Sequence, residues 1–274
     1  MNNIIENKIC LACGGNTLIS SLDLGNQPLA NSFKSTITNQ DRYPLAVNLC
    51  ASCFHLQLTH TVDPKVIYSN YLYVAGTSKT LKDYSEWFAG YVIERIDKKT
   101  NNILDIGCND GTQLDFFKRS NMNTFGIDPA ENIYPVSSAK HSIICDFFGP
   151  HIIEKIHYTF DAIIAQNVCA HNPNPLIFLQ TCRELMGDHT LLFVQTSQAD
   201  MILNNEFDTI YHEHISFYNI KSMNSLCLRA GLNLIDVIKS PLHGSSYIFV
   251  VSTKIQRKNH IKNLIEMERV SGLY

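Results

Sequence analysis

Four consecutive residues, YHEH at Tyr211 to His214, place two imidazoles, a carboxylate and a phenol within the stretch FDTIYHEHISFY. A histidine can accept a proton near neutral pH without a large pKa perturbation, and a tyrosine hydroxyl can donate to an oxygen on which charge develops. In an extended strand the side chains of Tyr211 and Glu213 would point away from those of His212 and His214, so the groups converge only in a turn or loop. Alone, the segment fits a solvated polar loop as well as acid–base chemistry, whereas zinc is disfavoured because His-x-His supplies only two ligands.

Two Cys-x-x-Cys pairs lie near the N-terminus: Cys10 with Cys13, and Cys50 with Cys53. Each pair can turn tightly enough to present two thiolates to one ion, and four thiolates complete the closed tetrahedron of a structural zinc site. The alternative is two unrelated pairs, one of them redox active. It is disfavoured because a redox Cys-x-x-Cys normally opens a helix in a βαβ unit. The pattern therefore predicts a zinc-binding domain whose ion has no open position for a substrate.

A third group of residues lies in the stretch DIGCNDG. Gly107 and Gly111 allow a ligand to approach the backbone closely, and Asn109 tolerates positive φ better than most residues. Asp128 follows Asp105 by about 20 residues, a separation that suits an acidic residue contacting ribose hydroxyls. The loop lacks the Gly-x-Gly-x-x-Gly of dinucleotide enzymes, which remain possible from this loop alone. Its Asp-x-Gly-x-x-x-Gly form with a following acidic residue is typical of an S-adenosylmethionine site.

We predict that the cofactor is held by this loop and by the ends of the neighbouring strands. In the stretch ICDFFG, Asp146 and Phe147 lie where the end of a further strand would hold the adenine, although ordinary turn chemistry explains them as well. The predicted cofactor-binding residues are Asp105, Gly107, Asn109, Asp110, Gly111, Asp128, Pro129, Asp146, Phe147 and Asn167.

The elements that would position these groups follow an alternating pattern. Strands are predicted over 102–107, 123–128, 160–167, 189–196, 232–238 and 246–252, and helices over 112–120, 176–186 and 221–231. A further helix begins after an N-cap at Thr77 or Ser78 and carries an apolar stripe. Strands that alternate with helices predict a mostly parallel sheet covered on both faces, which is an α/β, Rossmann-like domain.

Composition places the chain among ordinary globular proteins. It has 274 residues, 45% hydrophobic and 17% charged, which is enough for one or two domains with a buried core. A net charge of −3 does not attract nucleic acid or an anionic membrane, and no apolar run approaches the about 18 to 20 residues that span a bilayer. The N-terminus lacks an apolar signal core. We therefore expect a cytoplasmic protein, where reduced cysteines favour a metal over disulfides.

A series of short motifs, in order along the chain, carries a family resemblance: CLAC, LGNQPLANSF, YPLAVNLCASCFHLQLT, YLYVAGTS, LDIGCNDGTQL, GIDPA, DFFG, AHNP, FDTIYHEH and GLNLIDVIKSPLHG. With them the chain resembles the nucleotide-sugar C-methyltransferases, in particular the C-3 methyltransferases of TDP-linked 4-keto deoxysugars. The resemblance implies a zinc-binding domain over 1–75 and an S-adenosylmethionine-dependent methyltransferase domain over 76–255. It also implies that the helix in 256–274 leads into a further domain.

The resemblance also implies roles for individual residues. His214 would be the general base, Glu213 its electrostatic partner, and Tyr211 a donor toward the C4 keto oxygen of the sugar. His171 in AHNP and Tyr73 in YLYV would hold the sugar. The implied cofactors are S-adenosylmethionine and a structural zinc ion. The implied partner is a nucleotide-sugar small molecule, with no nucleic acid and no membrane, and a monomer is compatible with the sequence.

Three departures from the family pattern bear on function. The chain stops after NLIEMERVSGLY, where the family continues into a C-terminal domain. Ser245 and Ile248 in HGSSYI replace a glycine and an arginine of the family's HGGSxR, and Tyr84 stands where the family commonly has histidine. These substitutions fall at positions expected to face the substrate. They leave open a non-catalytic protein that binds cofactor or nucleotide, and an O- or N-methyltransferase, which would not need to ionise a carbon acid.

Overall fold

The computed structural model describes residues 4–31, 35–36, 39–68, 74–196, 201–240, 246–255 and 258–274. The predicted sugar-binding Tyr73 and the family departure at Ser245 lie outside the described residues.

The strands are β1 Ile4–Glu6, β2 Leu18–Gln27, β3 Tyr43–Cys50, β4 Leu56–Leu58, β5 His60–Val62, β6 Asn102–Ile106, β7 Asn123–Ile127, β8 Ser142–Ile144, β9 Ala162–Gln166, β10 Leu191–Thr196, β11 Ser216–Phe217, β12 Asn233–Lys239 and β13 Tyr247–Ser252. The helices are α1 Pro64–Tyr68, α2 Lys79–Ile93, α3 Thr112–Arg119, α4 Tyr134–Ser138, α5 Pro175–Leu185, α6 Met201–Asn204, α7 Ile220–Arg229 and α8 Lys258–Val270.

The larger sheet has seven strands in the order β12-β13-β10-β9-β6-β7-β8. The five neighbouring strands β10, β9, β6, β7 and β8 pair in parallel. Strand β13 pairs antiparallel with both β10 and β12. Buried apolar clusters lie on both faces. One includes Leu179 of α5 and Leu226 of α7, and the other includes Phe88 of α2 and Phe117 of α3. The predicted Rossmann-like fold with a mostly parallel sheet is therefore confirmed.

Local signals fixed the helices that flank this sheet. Ser78 is extended and its side chain accepts a hydrogen bond from the backbone N–H of Leu81, so it caps α2 as predicted. Asn219 and Ser222 form a reciprocal capping box at the start of α7. The predicted strand after the second βα unit is short, and β8 ends before Asp146. Among the described residues, every helix falls short of the length and apolarity that crossing a bilayer demands.

The smaller sheet joins the two predicted domains. Its order is β11-β4-β3-β2, so the two-residue strand β11, which begins two residues after His214, adds to three strands of the cysteine-containing region. Ser216 pairs with Gln57 and Phe217 with Leu56. Met201, Ile210 and Phe217 pack into the apolar cluster of this sheet. The boundary at residue 75 stays a prediction, but the hydrogen-bonded sheet includes residues from both sides of it.

Helix α8 packs back onto the body of the chain. Its Glu268 is buried, and both carboxylate oxygens accept from the backbone N–H of Ile220 at the N-terminus of α7, at 2.8 and 3.0 Å. A carboxylate is stabilising there because the first N–H groups of a helix lack partners within the helix. The ring of Tyr274 stacks on Phe54 with centroids 4.6 Å apart. The C-terminal residues thus contact both the methyltransferase part and the cysteine-containing part.

Candidate active site

The cofactor side of the site is built at the carboxyl end of β6. Gly107 has φ 76°, and a Cβ there would lie 2.4 Å from the side chain of Val168, so this turn requires glycine. Asn109 also has positive φ, at 50°, as its sequence position predicted. The side-chain oxygen of Asn109 accepts from the backbone N–H of Ala75 at 3.0 Å, which ties the loop to the entry of α2.

Two carboxylates lie at the ends of adjacent strands β6 and β7. Asp105 is only 3% exposed, and burial, followed by the neighbouring Asp128, raises its pKa well above the usual range. Asp128 accepts from the backbone N–H groups of Asn109 at 2.8 Å and Ala130 at 2.9 Å. Burial raises the pKa of Asp128 and these two hydrogen bonds oppose the rise. Both carboxylates favour a cationic or hydrogen-bond-donating ligand, which would replace the lost hydration.

A cavity of about 410 Å³ opens over these strand ends, within the about 300–1,000 Å³ usual for small-molecule sites. Seven of the predicted cofactor residues line it: Asp105, Gly107, Asn109, Asp128, Pro129, Phe147 and Asn167. Among the described residues its lining contains no lysine or arginine. The cavity therefore has the electrostatic character of a site for a cation rather than for a phosphate.

Three predicted cofactor residues do not line the cavity: Asp110, Gly111 and Asp146. The carboxylate of Asp110 accepts from the backbone N–H groups of Gly76 at 2.8 Å and Thr112 at 3.1 Å, and so supports the loop from outside. Asp146 pairs with Lys155 at 2.7 Å, and that contact is the largest cause of its lowered pKa. Contact of these residues with a cofactor stays a prediction.

The YHEH segment forms a turn, as predicted. The backbone N–H of His214 donates to the carbonyl of Tyr211 at 3.0 Å, which brings the two side chains to one side. Nδ1 of His214 lies 2.9 Å from the carbonyl oxygen of Thr209 and must donate to it, because a carbonyl only accepts. The basic Nε2 then accepts from the Tyr211 hydroxyl, also at 2.9 Å. The backbone therefore fixes which nitrogen of His214 can take a proton.

His171 connects this turn to the cavity. It lines the cavity, and its ring centroid lies 5.0 Å from that of His214, which does not itself line the cavity. The backbone of Ile215 holds the two together, since its N–H donates to Ala170 and its carbonyl accepts from the N–H of Leu58, both at 2.9 Å. Burial, followed by the nearby His214, lowers the pKa of His171 to about 3, so its imidazole is neutral at physiological pH.

Glu213 is buried and turned toward the cysteine-containing part of the chain. Its Oε1 accepts from the side-chain amide of Asn31, while its Oε2 is buried with no hydrogen-bond partner among the described residues. Burial raises its pKa, and the Asn31 hydrogen bond opposes the rise. The carboxylate hydrogen-bonds to Asn31 whereas Nδ1 of His214 bonds to a backbone carbonyl, so a direct role for Glu213 as the partner of His214 stays a prediction.

The four predicted zinc ligands converge on one point. The Sγ atoms of Cys10 and Cys53 lie 3.6 Å apart and those of Cys13 and Cys50 lie 3.5 Å apart, and all four lie within 4.8 Å of one another. A tetrahedron with Zn–S bonds of about 2.3 Å separates its sulfurs by about 3.8 Å. Backbone N–H groups of Cys13 and Gly15 point at ligand sulfurs at 3.4 Å, as in a thiolate site. The geometry fits structural zinc.

Four residues at the site were not recognised in the sequence, although Tyr84 beside them was expected to face the substrate: Gln166, Gln195, Tyr68 and Asn31. Tyr84 donates to Gln195 at 2.6 Å, and Gln166 donates to the same oxygen at 3.1 Å, which forms a neutral polar wall at the ends of β9 and β10. The strand ends could have identified the two glutamines, because ligands bind where parallel strands end. Tyr68 and Asn31 carried no local signal, since only tertiary contacts bring them to the site.

Two positions that depart from the family pattern, Tyr84 and Ile248, have different surroundings in the structure. Tyr84 lines the cavity, as expected of a substrate-facing position. Ile248 does not line it. The Ile248 side chain is fully buried in the apolar cluster beside α2, so the expectation that it faces substrate is wrong. Its place on β13, next to β10, turns the side chain into the core.

Comparison with known proteins agrees with this architecture. The chain matches the family model described as "Methyltransferase domain" over residues 81–237 and the one described as "Putative zinc binding domain" over residues 10–68. The first match covers more than half of the chain, which therefore belongs to the methyltransferase domain family.

The individual proteins that resemble this chain share low sequence identity with it. C-methyltransferase NovU of Streptomyces niveus is 27% identical over 248 residues, which are 87% of this chain and 59% of NovU. Mitomycin 7-O-methyltransferase MmcR has a TM-score of 0.51 at 12% identity, covering 63% of this chain and 54% of that chain. The plantazolicin methyltransferase BamL, in complex with a triazolic desmethylPZN analog and SAH, has a TM-score of 0.51 at 14% identity, covering 64% of this chain and 87% of that chain. These structures share the fold.

Proposed function

We propose that the protein is an S-adenosylmethionine-dependent C-methyltransferase that methylates a carbon next to a ketone through an enolate. The observation that carries this is the juxtaposition of a two-carboxylate cavity with a turn whose histidine has its basic nitrogen fixed beside a phenol. The likeness to NovU, a C-methyltransferase, supports carbon as the acceptor atom. The chain spans about three-fifths of the length of NovU.

The cavity suits the methyl donor in charge and in volume. Asp128 would take the ribose hydroxyls, and the desolvated Asp105 favours the cationic part of the ligand. The glycine turn and Asn109 leave room for close approach of the ligand to the backbone. When bound, S-adenosylmethionine supplies an electrophilic methyl group. The remaining task of the protein is to position the acceptor, exclude water and make a carbon nucleophilic.

The YHEH turn suits that task because Tyr211 and His214 are hydrogen-bonded to each other in the structure. Nε2 of His214 accepts from Tyr211, so a keto compound that enters between them would exchange this hydrogen bond for two new contacts. His214 would take the proton from the carbon next to the ketone. Tyr211 would then be free to donate to the oxygen on which negative charge develops. Ionising a carbon acid depends strongly on this pair, whereas methylation of oxygen or nitrogen breaks no carbon–hydrogen bond and should survive loss of the base more easily.

A nucleotide-linked keto deoxysugar is the substrate class we favour. The ordered motifs from the four cysteines through YHEH support it, and the likeness to NovU is compatible with it. The neutral wall formed by Tyr84, Gln166 and Gln195 suits sugar hydroxyl groups. Because the described cavity lining has no lysine or arginine, we expect the diphosphate of such a substrate to lie outside this cavity.

Methyl transfer to a panel of TDP-4-keto deoxysugars tests the proposal, with the new carbon–methyl bond identified by NMR of the product. His214→Ala should lower the rate by about 10²- to 10⁴-fold, the usual contribution of a general base, and leave donor binding unchanged. His157→Ala, which removes an exposed histidine, is the matched control. An unchanged rate in His214→Ala would contradict the enolate mechanism. Donor binding without transfer to any keto sugar would favour a non-catalytic binding protein.

A further inference from the structure

Tyr68, at the end of α1, makes a contact that the mechanism above does not use. Its hydroxyl lies 2.9 Å from Nδ1 of His171, and both residues line the cavity. The other ring nitrogen of His171, Nε2, is buried and has no hydrogen-bond partner among the described residues. A buried polar atom without a partner is costly unless a ligand completes it. Nε2 of His171 is therefore a buried atom beside the cavity that still needs a hydrogen-bond partner, and whether it donates or accepts depends on Tyr68.

The chemistry of the two atoms indicates the direction of the hydrogen bond. A phenol is a good donor, and an unprotonated imidazole nitrogen is a better acceptor than a phenol oxygen. If Tyr68 donates to Nδ1, the single proton of the neutral imidazole must lie on Nε2. We propose that Tyr68 is a positioning residue that holds His171 in the Nε2–H tautomer and so makes it a neutral hydrogen-bond donor toward an oxygen of the acceptor.

The surroundings of His171 keep it neutral, as this role requires. It faces Tyr68 from α1 and His214 from the YHEH turn, and burial lowers its pKa to about 3. The two neighbouring imidazoles then have opposite characters. His214 has a basic Nε2 because Thr209 fixes its proton on Nδ1, and His171 has an Nε2–H. A base and a neutral donor 5.0 Å apart, centroid to centroid, suit a carbon acid and its carbonyl oxygen.

The tautomer itself can be tested without any assay of activity. Long-range ¹H–¹⁵N correlation NMR on the full chain distinguishes a protonated Nε2 from a protonated Nδ1 in each histidine. We expect His171 to show the Nε2–H form in the wild type and a mixture of both forms in Tyr68→Phe, which removes only the hydroxyl. A wild-type Nδ1–H form, or an unchanged spectrum in Tyr68→Phe, would overturn the proposal. The wild-type spectrum decides by itself if the variant does not fold.

The consequence for catalysis rests on the proposed function and has its own readout. Tyr68→Phe should lower kcat about tenfold, the effect of losing about one well-placed hydrogen bond, with little change in KM and none in donor affinity. Tyr158→Phe, at a tyrosine that is 57% exposed and outside the cavity, should change neither. A purely structural Tyr68 would lower melting temperature and raise KM while leaving the tautomer unaffected. Failure of the C-methylation proposal would leave the NMR result standing, so the two outcomes are separable.

Discussion

The two halves of the candidate site are built in different ways. Most of the cofactor half is a loop and two strand ends that lie within about 25 residues of one another, with Phe147 and Asn167 added from later strand ends, and one parallel sheet places them. The acid–base half gathers residues from distant parts of the chain. The YHEH turn contacts Asn31, the backbone carbonyl of Tyr43 accepts from His212 at 3.2 Å, and β4 pairs with β11.

The difference indicates that the two halves have different main supports, although the zinc-site cysteines also pack into one apolar cluster of the large sheet. The cofactor half depends on the core of the seven-stranded sheet, which is buried on both faces. The acid–base half depends on the smaller sheet. His55 lies two residues after Cys53, is fully buried, and its Nε2 lies 3.1 Å from the hydroxyl of Ser216 just after the turn. A change at the zinc site should therefore reach the base before it reaches the cofactor.

Removal of zinc should have the largest effect and tests this separation directly. Cys13→Ala removes one of four ligands, and metal binding is coupled to the folding of such sites. We expect the metal content to fall from one ion per chain and methyl transfer to fall by about 10²-fold or more, because the β4–β11 pairing that positions His214 is lost. The affinity for S-adenosylmethionine, measured by calorimetry, should remain.

Cys145→Ala is the matched control, since this thiol is exposed and is not among the four converging sulfurs. It should retain both metal and activity. Equal loss of donor binding and methyl transfer in Cys13→Ala would show that the two halves share one support.

Loss of a carboxylate at the cofactor half should weaken donor binding and leave the metal content unchanged, the reverse of what is expected for zinc removal. Asp128→Ala removes the acceptor for two backbone N–H groups and for the predicted ribose contact. We expect donor affinity to fall about 30-fold, which corresponds to about 2 kcal/mol for hydrogen bonds to a charged group. Metal content should not change. Asp188→Ala, whose side chain is 89% exposed, provides the comparison, and an equal loss there would refute the assignment.

The smallest expected effect is on stability, and its sign differs from that on binding. Because the pKa of Asp105 is raised in the folded chain, the folded chain holds the proton of the Asp105 carboxyl more tightly than the unfolded chain does. Stability is therefore lost as pH rises from the ordinary value of 3.8 through the raised pKa. Asp105→Asn should raise the melting temperature of the ligand-free protein at pH 7 by about 2–4 °C, or about 1 kcal/mol, and should weaken donor binding.

The measurement is a pair of melting curves, at pH 4 and pH 8, for the wild type and Asp105→Asn. The advantage of the variant should grow with pH. A variant that is less stable than the wild type at pH 8 would mean that the Asp105 carboxylate is already compensated without a ligand.

Local chemistry explains what could be predicted. The cap at Ser78, the left-handed Asn109 and the tight turn at Gly107 follow from side-chain size and hydrogen-bonding capacity, so the sequence predicts them residue by residue. The alternation of apolar runs with helical patterns likewise predicted the parallel sheet, because only that arrangement buries both faces. The Cys-x-x-Cys spacing predicted the metal cluster, since a tetrahedron of thiolates needs two tight turns.

Long-range contacts decide the features that could not be predicted from the sequence. The sequence indicated that YHEH must turn, but the tautomer of His214 depends on the Thr209 carbonyl, and its nearness to the cavity depends on the backbone of Ile215. Ile248 shows the opposite case, because a position that looked substrate-facing is turned into the core by the register of β13. The sequence alone determined the fold and the sets of groups, through local geometry and burial. Only the tertiary structure decided which groups meet, because strand register and the shared sheet set distances between residues far apart in the chain.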